Sequence, residues 1–424
     1  MNDPSSCSVA FAPSDFSRGA IQVVEGLQKA GYSAYVVGGA IRDLLLGQHP
    51  KDFDVATDAT PEQIKQCFRS ARVIGRRFQI VHVRAGAEII EVTTFRGHHS
   101  ASQDQHNSKA AESGRLLRDN VYGTLEEDAL RRDLTINALY YDVKKGELID
   151  ELGGAEDLAK RLIRVIGDPE ERYREDPVRM LRVVRFAARL NFDLETSTQA
   201  AIGATQHLLR EIPPARLFDE WLKLFMSGHS APTYTQLEHH RLLEPLMGEA
   251  VEPHGLSAAS RALQQAALRS TDRRVAEGRP VTPAFLLAAL LWPATEMRSQ
   301  HLEQAGESPL QSIHSAGQQV VAATCQRLSI PRRFSLAMRD IWDLQPRLTR
   351  MQTKKVADII AQRWFRAAYD LLLLREETEA MDRRCSQFWS EQQQKYPDLV
   401  GSARAKSDDP PRRRGRGRRR PKSP

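Results

Sequence analysis

Apolar positions between Tyr35 and Phe95 come in short runs divided by polar or glycine breaks. Tyr35-Val36-Val37 runs into Gly38-Gly39, Phe53 to Thr57 follows Lys51-Asp52, Gln79 to Arg84 reads as extended, and Glu88 to Phe95 is dense in Ile, Val and Thr. β-Branched and aromatic residues in runs of this length predict strands, so a small mixed sheet is expected near the N-terminus. Beyond residue 155 the period lengthens to that of a helix. The stretch from Pro177 to Leu190 is the clearest amphipathic segment, and few strand signals return before residue 395. The pattern therefore predicts an α+β chain, with a sheet-bearing first part and an all-helical remainder. His98 to Arg115 is polar and rich in Ser, Gln and Asn, which predicts a surface loop inside the first domain.

A length of 424 residues calls for at least two domains. The longest apolar run, Ala284 to Trp292, has nine residues, about half of the ~18 that a membrane-spanning helix needs. Residues 1–19 have no basic cluster ahead of an apolar stretch, so no secretory signal and no membrane association are expected, and the localisation expected is cytoplasmic. The four scattered cysteines, Cys7, Cys67, Cys325 and Cys385, fit reduced thiols better than a disulfide framework or a zinc site. The net charge of +7 is concentrated at one end. Residues 401–424 hold ten Lys and Arg against Asp408 and Asp409, a segment charge of +8 that leaves the other 400 residues at −1. Such a Pro-, Gly- and Arg-rich tail cannot build a core and is expected to be disordered alone, and its natural partner is a polyanion such as a nucleic acid.

Three groups of residues carry candidate chemistry. Gly38-Gly39-Ala-Ile-Arg42-Asp43 lies where a strand gives way to a helix, and two glycines let backbone N–H groups approach a phosphate, with Arg42 placed to add a bidentate contact. Alone this pattern is commonly just a turn. Thirteen residues on, Asp52 and Asp54 flank Phe53. Side chains at i and i+2 of a strand share a face roughly 7 Å apart, and two carboxylates held that way suit a divalent cation, with oxygen-only ligands favouring Mg2+. A solvated strand face is the plainer reading, and it loses ground because the phosphate-type turn is so near. Either Glu91 or Asp133 could complete the site as a third acid. Lastly, Glu175-Asp176-Pro177-Val178-Arg179 opens the amphipathic helix. Asp176 suffices there as an N-cap with Pro177 at the first helical position, but a carboxylate and a guanidinium one turn apart can also read the edge of adenine. Arg182 and Arg185 continue the basic edge. Phe285 to Trp292 and Trp364-Phe365-Arg366-Ala-Ala-Tyr369 read as core helices, although Arg363, Arg366 and Tyr369 could border an RNA path.

Taken in order, Gly38-Gly39-x-x-Arg42-Asp43, Asp52-x-Asp54, Arg131-Arg132-Asp133-x-Thr135-x-Asn137-Ala138, Glu175-Asp176-x-x-Arg179 and Arg216-x-x-x-Glu220 resemble the motifs of class II template-independent nucleotidyltransferases. That family comprises bacterial poly(A) polymerases and CCA-adding enzymes. The resemblance implies a polymerase-beta-like nucleotidyltransferase head over residues 20–152 behind a flexible 1–19 segment, and a helical neck with base recognition over 153–225. A helical body and RNA-binding region (226–397) and a basic tail (398–424) would follow. It implies that Gly38, Gly39, Arg42, Arg132, Asp176, Arg179 and Arg182 surround the incoming nucleotide, that Asp52 and Asp54 bind Mg2+, and that Asp133 is the third catalytic acid. Val73 to Val83 looks like the segment that sets poly(A) polymerases apart, and the basic tail suits an enzyme that must hold many different RNA 3′ ends. The expected reaction is addition of AMP from ATP to RNA 3′ ends, with CCA addition to tRNA as the alternative and a non-catalytic RNA-binding protein as a distant one. Protein partners in RNA decay cannot be read from the residues.

Overall fold

The computed structural model describes residues 6–7, 11–75, 79–97, 108–110, 116–119, 121–251, 256–351, 355–378 and 383–400. Parts of the N-terminal segment, most of the 98–115 loop and residues 401–424 of the basic tail lie outside the described residues. The chain forms two compact units, Met1–Leu209 and Arg210–Pro424, and the division falls inside the stretch read from sequence as a neck.

The first unit is built on an eight-stranded mixed sheet. In chain order its strands are β1 (Ser6–Cys7), β2 (Ala34–Val37), β3 (Asp54–Thr57), β4 (Arg72–Ile74), β5 (Ile80–Ala85) and β6 (Glu88–Thr94). A separate hairpin, β7 (Ser108–Ala110) with β8 (Leu116–Asp119), precedes β9 (Tyr140–Asp142) and β10 (Glu147–Ile149). Across the sheet the order is β1-β10-β9-β2-β3-β6-β5-β4. β3 lies in the interior, antiparallel to β2 and parallel to β6. Val36, Val37, Val55, Ala56 and Val92 are buried around it, the near-continuous apolar run expected of a strand covered on both faces. Helix α1 (Arg18–Lys29), capped by the Ser17 side chain accepting from the Ala20 N–H, packs Val23, Val24 and Leu27 into this core. The four strands predicted from sequence are present. β9 and β10, three residues each and joined by Val143-Lys144-Lys145-Gly146, are too short to show a period and were not expected.

Helix α2 (Gly39–Leu45) follows β2 through Gly38, which adopts φ 75° and donates its N–H to the Leu139 carbonyl at 2.9 Å. A left-handed backbone at this hinge requires glycine. Helix α3 (Pro61–Cys67) lies in the crossover from β3 toward β6, and α4 (Leu125–Arg131) opens on a capping box between Thr124 and Glu127. After α5 (Gly154–Ala159), α6 (Pro169–Glu175) starts on Asp168 and meets α7 (Val178–Leu190) at Asp176-Pro177. Val178, Leu181, Val184 and Ala187 of α7 are buried, as the helical period predicted. Helix α8 (Thr196–Thr205) closes the unit.

The second unit is helical. Ala284 and Leu286–Leu291 are buried, Trp342 donates its indole N–H to the Ala288 carbonyl at 3.0 Å, and Trp389 donates to the Leu348 carbonyl at 2.8 Å. No helix among the described residues is long and apolar enough to cross a membrane.

Candidate functional site

Strand register decides which acids meet. Asp54 lies opposite Val37 on β2 and beside Glu91 on β6. Neighbouring strands are roughly 4.8 Å apart, so in this parallel pair the two carboxylates stand side by side. Asp52 falls just before β3, exposed, while Phe53 turns inward against the ring of Phe16. Asp54 keeps an exposed edge, yet its carboxyl is pushed from 3.8 up to about 6. Burial is the first cause and Glu91 the second; Arg132 opposes the shift and Asp52 adds to it. A carboxyl whose ionisation is opposed by burial and by a facing acid makes a candidate place for a cation. Glu91 also meets the imidazole of His82, with 3.2 Å between Nε2 and Oε1.

The turn at Gly38 faces Arg132. A Cβ on Gly38 would lie 3.4 Å from Arg132 NH1, whose guanidinium donates from Nε to the Tyr140 hydroxyl at 2.9 Å, from NH2 to Asp128 at 3.1 Å and from NH1 to the Asn137 carbonyl at 3.3 Å. Burial works against this charge, but Tyr140 and Asp128 outweigh it and hold the guanidinium above its ordinary value. The Tyr140 hydroxyl in turn donates to Asp128 at 2.7 Å. Gly38, Gly39, Arg132, Asp54, Asp52 and Glu91 thus come from the β2–α2 turn, the end of α4 and the adjacent strands β3 and β6.

Two of the expected residues are engaged within the protein. Arg42 is 3% exposed, and its guanidinium donates to Asp43 from Nε at 2.8 Å and NH2 at 2.6 Å and to Asn137 Oδ1 from NH1 at 2.7 Å. Three of its five N–H groups are engaged inside the protein, so it braces the turn. Asp133 is likewise occupied. It pairs with Arg182 at 2.7 Å and accepts at Oδ1 from the Leu134 N–H and from Asn137 Nδ2. The acid beside Asp54 is Glu91, so the register favours Glu91 as the third acid over the Asp133 that the resemblance implied.

At the junction of α6 and α7, Glu175 holds both Arg172 at 2.8 Å and Arg179 at 2.7 Å, and Arg179 NH1 also donates to the Arg172 carbonyl. Asp176 accepts from the Val178 N–H at 3.3 Å but is not the N-cap expected from sequence, since the helix starts one residue later than predicted. It lies at the end of α6, with Pro177 at the N-cap of α7. Arg172 NH2 donates to the Arg131 and Arg132 carbonyls at 2.9 and 2.7 Å. Arg179, through Arg172, and Arg182, through Asp133, are therefore tied to the loop that carries Arg132 and Asp133. Sequence reasoning missed Asp128, Tyr140 and Arg172. Only Asp128 left a signal, its i,i+4 spacing to Arg132.

Among the described residues no three His, Cys, Asp or Glu side chains form a metal cage by themselves. Mg2+ ordinarily needs only one or two carboxylates and completes its shell with water and substrate phosphates. The all-oxygen set of Asp52, Asp54 and Glu91, with the Asp54 carboxyl held up toward neutrality, fits that requirement.

A family model described as "Poly A polymerase head domain" matches residues 34–164, one described as "Probable RNA and SrmB- binding site of polymerase A" matches 191–252, and "Polymerase A arginine-rich C-terminus" matches 305–423. Poly(A) polymerase I of Salmonella typhimurium is 46% identical over 423 residues, covering 98% of this chain and 91% of that relative. The CCA-adding enzyme of Lactobacillus helveticus is 41% identical over 215 residues, 51% of each chain. Among solved structures, the CCA-adding enzyme of Bacillus stearothermophilus in complex with CTP aligns with a TM-score of 0.59 at 25% identity, over 92% of this chain and 85% of that one. The fold is that of a polymerase-beta-like nucleotidyltransferase followed by helices. Near-complete coverage by the one group of relatives, against half coverage by the other, decides the assignment: this chain belongs to the poly(A) polymerase family of nucleotidyltransferases.

Proposed function

We propose that the protein adds AMP from ATP to RNA 3′ ends and releases pyrophosphate, and that the face of β3 and β6 is where transfer occurs. Nucleotidyltransferases of this family generally use divalent metal ions. Asp52 and Asp54, with Glu91 alongside, would hold Mg2+, which supplies charge neutralisation for the triphosphate and activation of the attacking hydroxyl. The 3′-oxygen of RNA forms a bond to the α-phosphorus of ATP as the α–β bridging bond breaks. Gly38 and Gly39 leave the backbone bare for the triphosphate, and Arg132, fixed by Asp128 and Tyr140, places positive charge at that turn without reorganising. Arg182 carries the positive edge along α7. The two contacts of Arg179 run through one terminal nitrogen, so its other edge can turn to the adenine ring with Asp176 beside it.

The observation that carries this reading is Asp54 pressed against Glu91 beside the Gly38 turn. The test is incorporation on a generic RNA with each nucleoside triphosphate in turn, alongside a tRNA lacking its 3′ end. Long A tracts from ATP alone support it. Ordered use of CTP then ATP on the tRNA would replace it with CCA addition, and absence of product from every nucleotide would remove the enzymatic reading.

A further inference from the structure

The helical unit contains a cavity of about 570 Å³, remote in sequence from every residue of the transfer site, within the range of roughly 300–1,000 Å³ common for small-ligand sites. Its wall comes from three segments: the end of helix Ala258–Ala276, the following turn to Phe285, and helix Phe365–Thr378 with the residues before it. Five arginines line it, Arg273, Arg274, Arg279, Arg363 and Arg366, against only Asp370 and Glu377. Arg274 is steadied by donating to the Pro280 carbonyl, Arg366 by its 3.0 Å pair with Asp370 and Arg279 by an ion pair with Glu277, which leaves Arg273 and Arg363 as the pair the test removes. Trp364 is half-buried in the wall with the Arg363 guanidinium 5.5 Å from its ring centre.

We infer that this cavity is a second RNA site, holding a nucleotide unit upstream of the reacting end with its phosphate on the arginines and its base against Trp364. Guanidinium forks match phosphate oxygens. An acidic peptide would satisfy the same charges, but it has no use for an aromatic wall, whereas base stacking on such a wall is a general device for holding single strands. The position of Val400 adds an independent argument. It lines the cavity, and the ten Lys and Arg of 401–424 follow it directly in the chain. A strand seated here would lie at the root of that basic segment. The choice of RNA over other polyanions rests on the function proposed above; the cavity and its charge do not.

The test uses the full chain carrying Arg273→Gln with Arg363→Gln, and separately Trp364→Leu, with a fluorescent 20-nucleotide oligo(A) bound over a salt series. Loss of two phosphate contacts should weaken binding about 10-fold or more at 0.1 M salt and reduce the slope of log K on log salt by about 1.4. Turnover at saturating RNA and the KM for ATP should stay as in the parent. Cross-linking of a 4-thiouridine oligonucleotide should label residues 270–285 or 363–377 in the parent and not in the double variant. Unchanged affinity and slope in a folded double variant would overturn the site. So would protection of those residues by millimolar ATP but not by RNA, or their occupation by polyglutamate in preference to RNA. A parent that binds RNA through this cavity yet incorporates no nucleotide would refute the proposed function and leave the site standing.

Discussion

Replacing Asp54 with asparagine removes one charge from a face where Asp52 and Glu91 already repel it. The carboxyl moves from 3.8 to about 6 on folding, which would be worth about 3 kcal/mol at ~1.4 kcal/mol per unit if nothing screened it. Solvent reaches the exposed edge of the residue, so about 1 kcal/mol is the realistic size. The folded state raises this pKa and so favours the protonated form. That contribution is fully present below pH 3.8 and is lost as pH rises through about 6. In metal-free buffer at pH 8, Asp54→Asn should therefore melt about 2–4 °C higher than the parent, and near pH 4 the two should coincide. The first unit contains none of the five tryptophans, all of which lie beyond residue 209, so calorimetry and not tryptophan fluorescence must follow the transition. Mg2+ at pH 8 should stabilise the parent and not the variant, and AMP incorporation should fall at least about 100-fold, the loss of several kcal/mol of charge stabilisation. A stability gain that is the same at every pH, or turnover that survives, would show that the Asp54–Glu91 pair is not a prepared cation site.

Glu91→Gln should raise the Mg2+ concentration needed for half-maximal rate about 10-fold, whereas Asp133→Asn, which releases Arg182, should act mainly on the KM for ATP; the opposite pattern in metal and ATP titrations would return the third-acid role to Asp133. Gly38→Ala should lose about 1–2 kcal/mol in denaturant unfolding, because alanine is strained at φ 75°. Arg42→Ala should destabilise by about 1–3 kcal/mol through the buried hydrogen bonds it strips from Asp43 Oδ1 and Asn137 Oδ1, Asp43 keeping Arg189 as an ion-pair partner, with urea titration as the measurement; a stable variant defective only in ATP binding would restore the phosphate-contact reading. Deleting residues 401–424 should weaken RNA binding and reduce its salt slope by at most about 7, from ten cations at ~0.7 each, while leaving kcat at saturating RNA unchanged.

Period and spacing made a good part of this molecule legible before any coordinates. β2, β3, β5 and β6 announce themselves through runs of Val, Ile and Thr, and α7 through its apolar stripe, because each buries a face large enough to impose a pattern. β9 and β10 do not, since three residues hold no period, and with them went the position of Tyr140. Glu91 and Asp133 were both legible as possible third acids, but the choice between them was not. Asp54 and Glu91 are 37 residues apart, and only the parallel register of β3 on β6 sets them side by side.

Arg42 and Asp133 teach the converse lesson about charge. A sequence shows which residues can meet a phosphate or a metal but not whether a closer partner takes them first. Here Asn137 joins the two, accepting from Arg42 and donating to Asp133, while Asp43 and Arg182 satisfy their remaining charge. Both motif residues thereby become struts linking the Gly38 turn to α7. Arg132 is also held from three sides, but by Tyr140, Asp128 and a carbonyl, and it still pulls on the ionisation of Asp54. Charge that acts on the β3 face thus comes from a residue that is paired with Asp128 yet held facing the Gly38 turn. Position, not the lack of an ion pair, separates Arg132 from Arg42: Arg132 acts on the Asp54 carboxyl, so its removal should cost transition-state stabilisation in addition to the fold energy lost when Asp128 is left without its ion-pair partner.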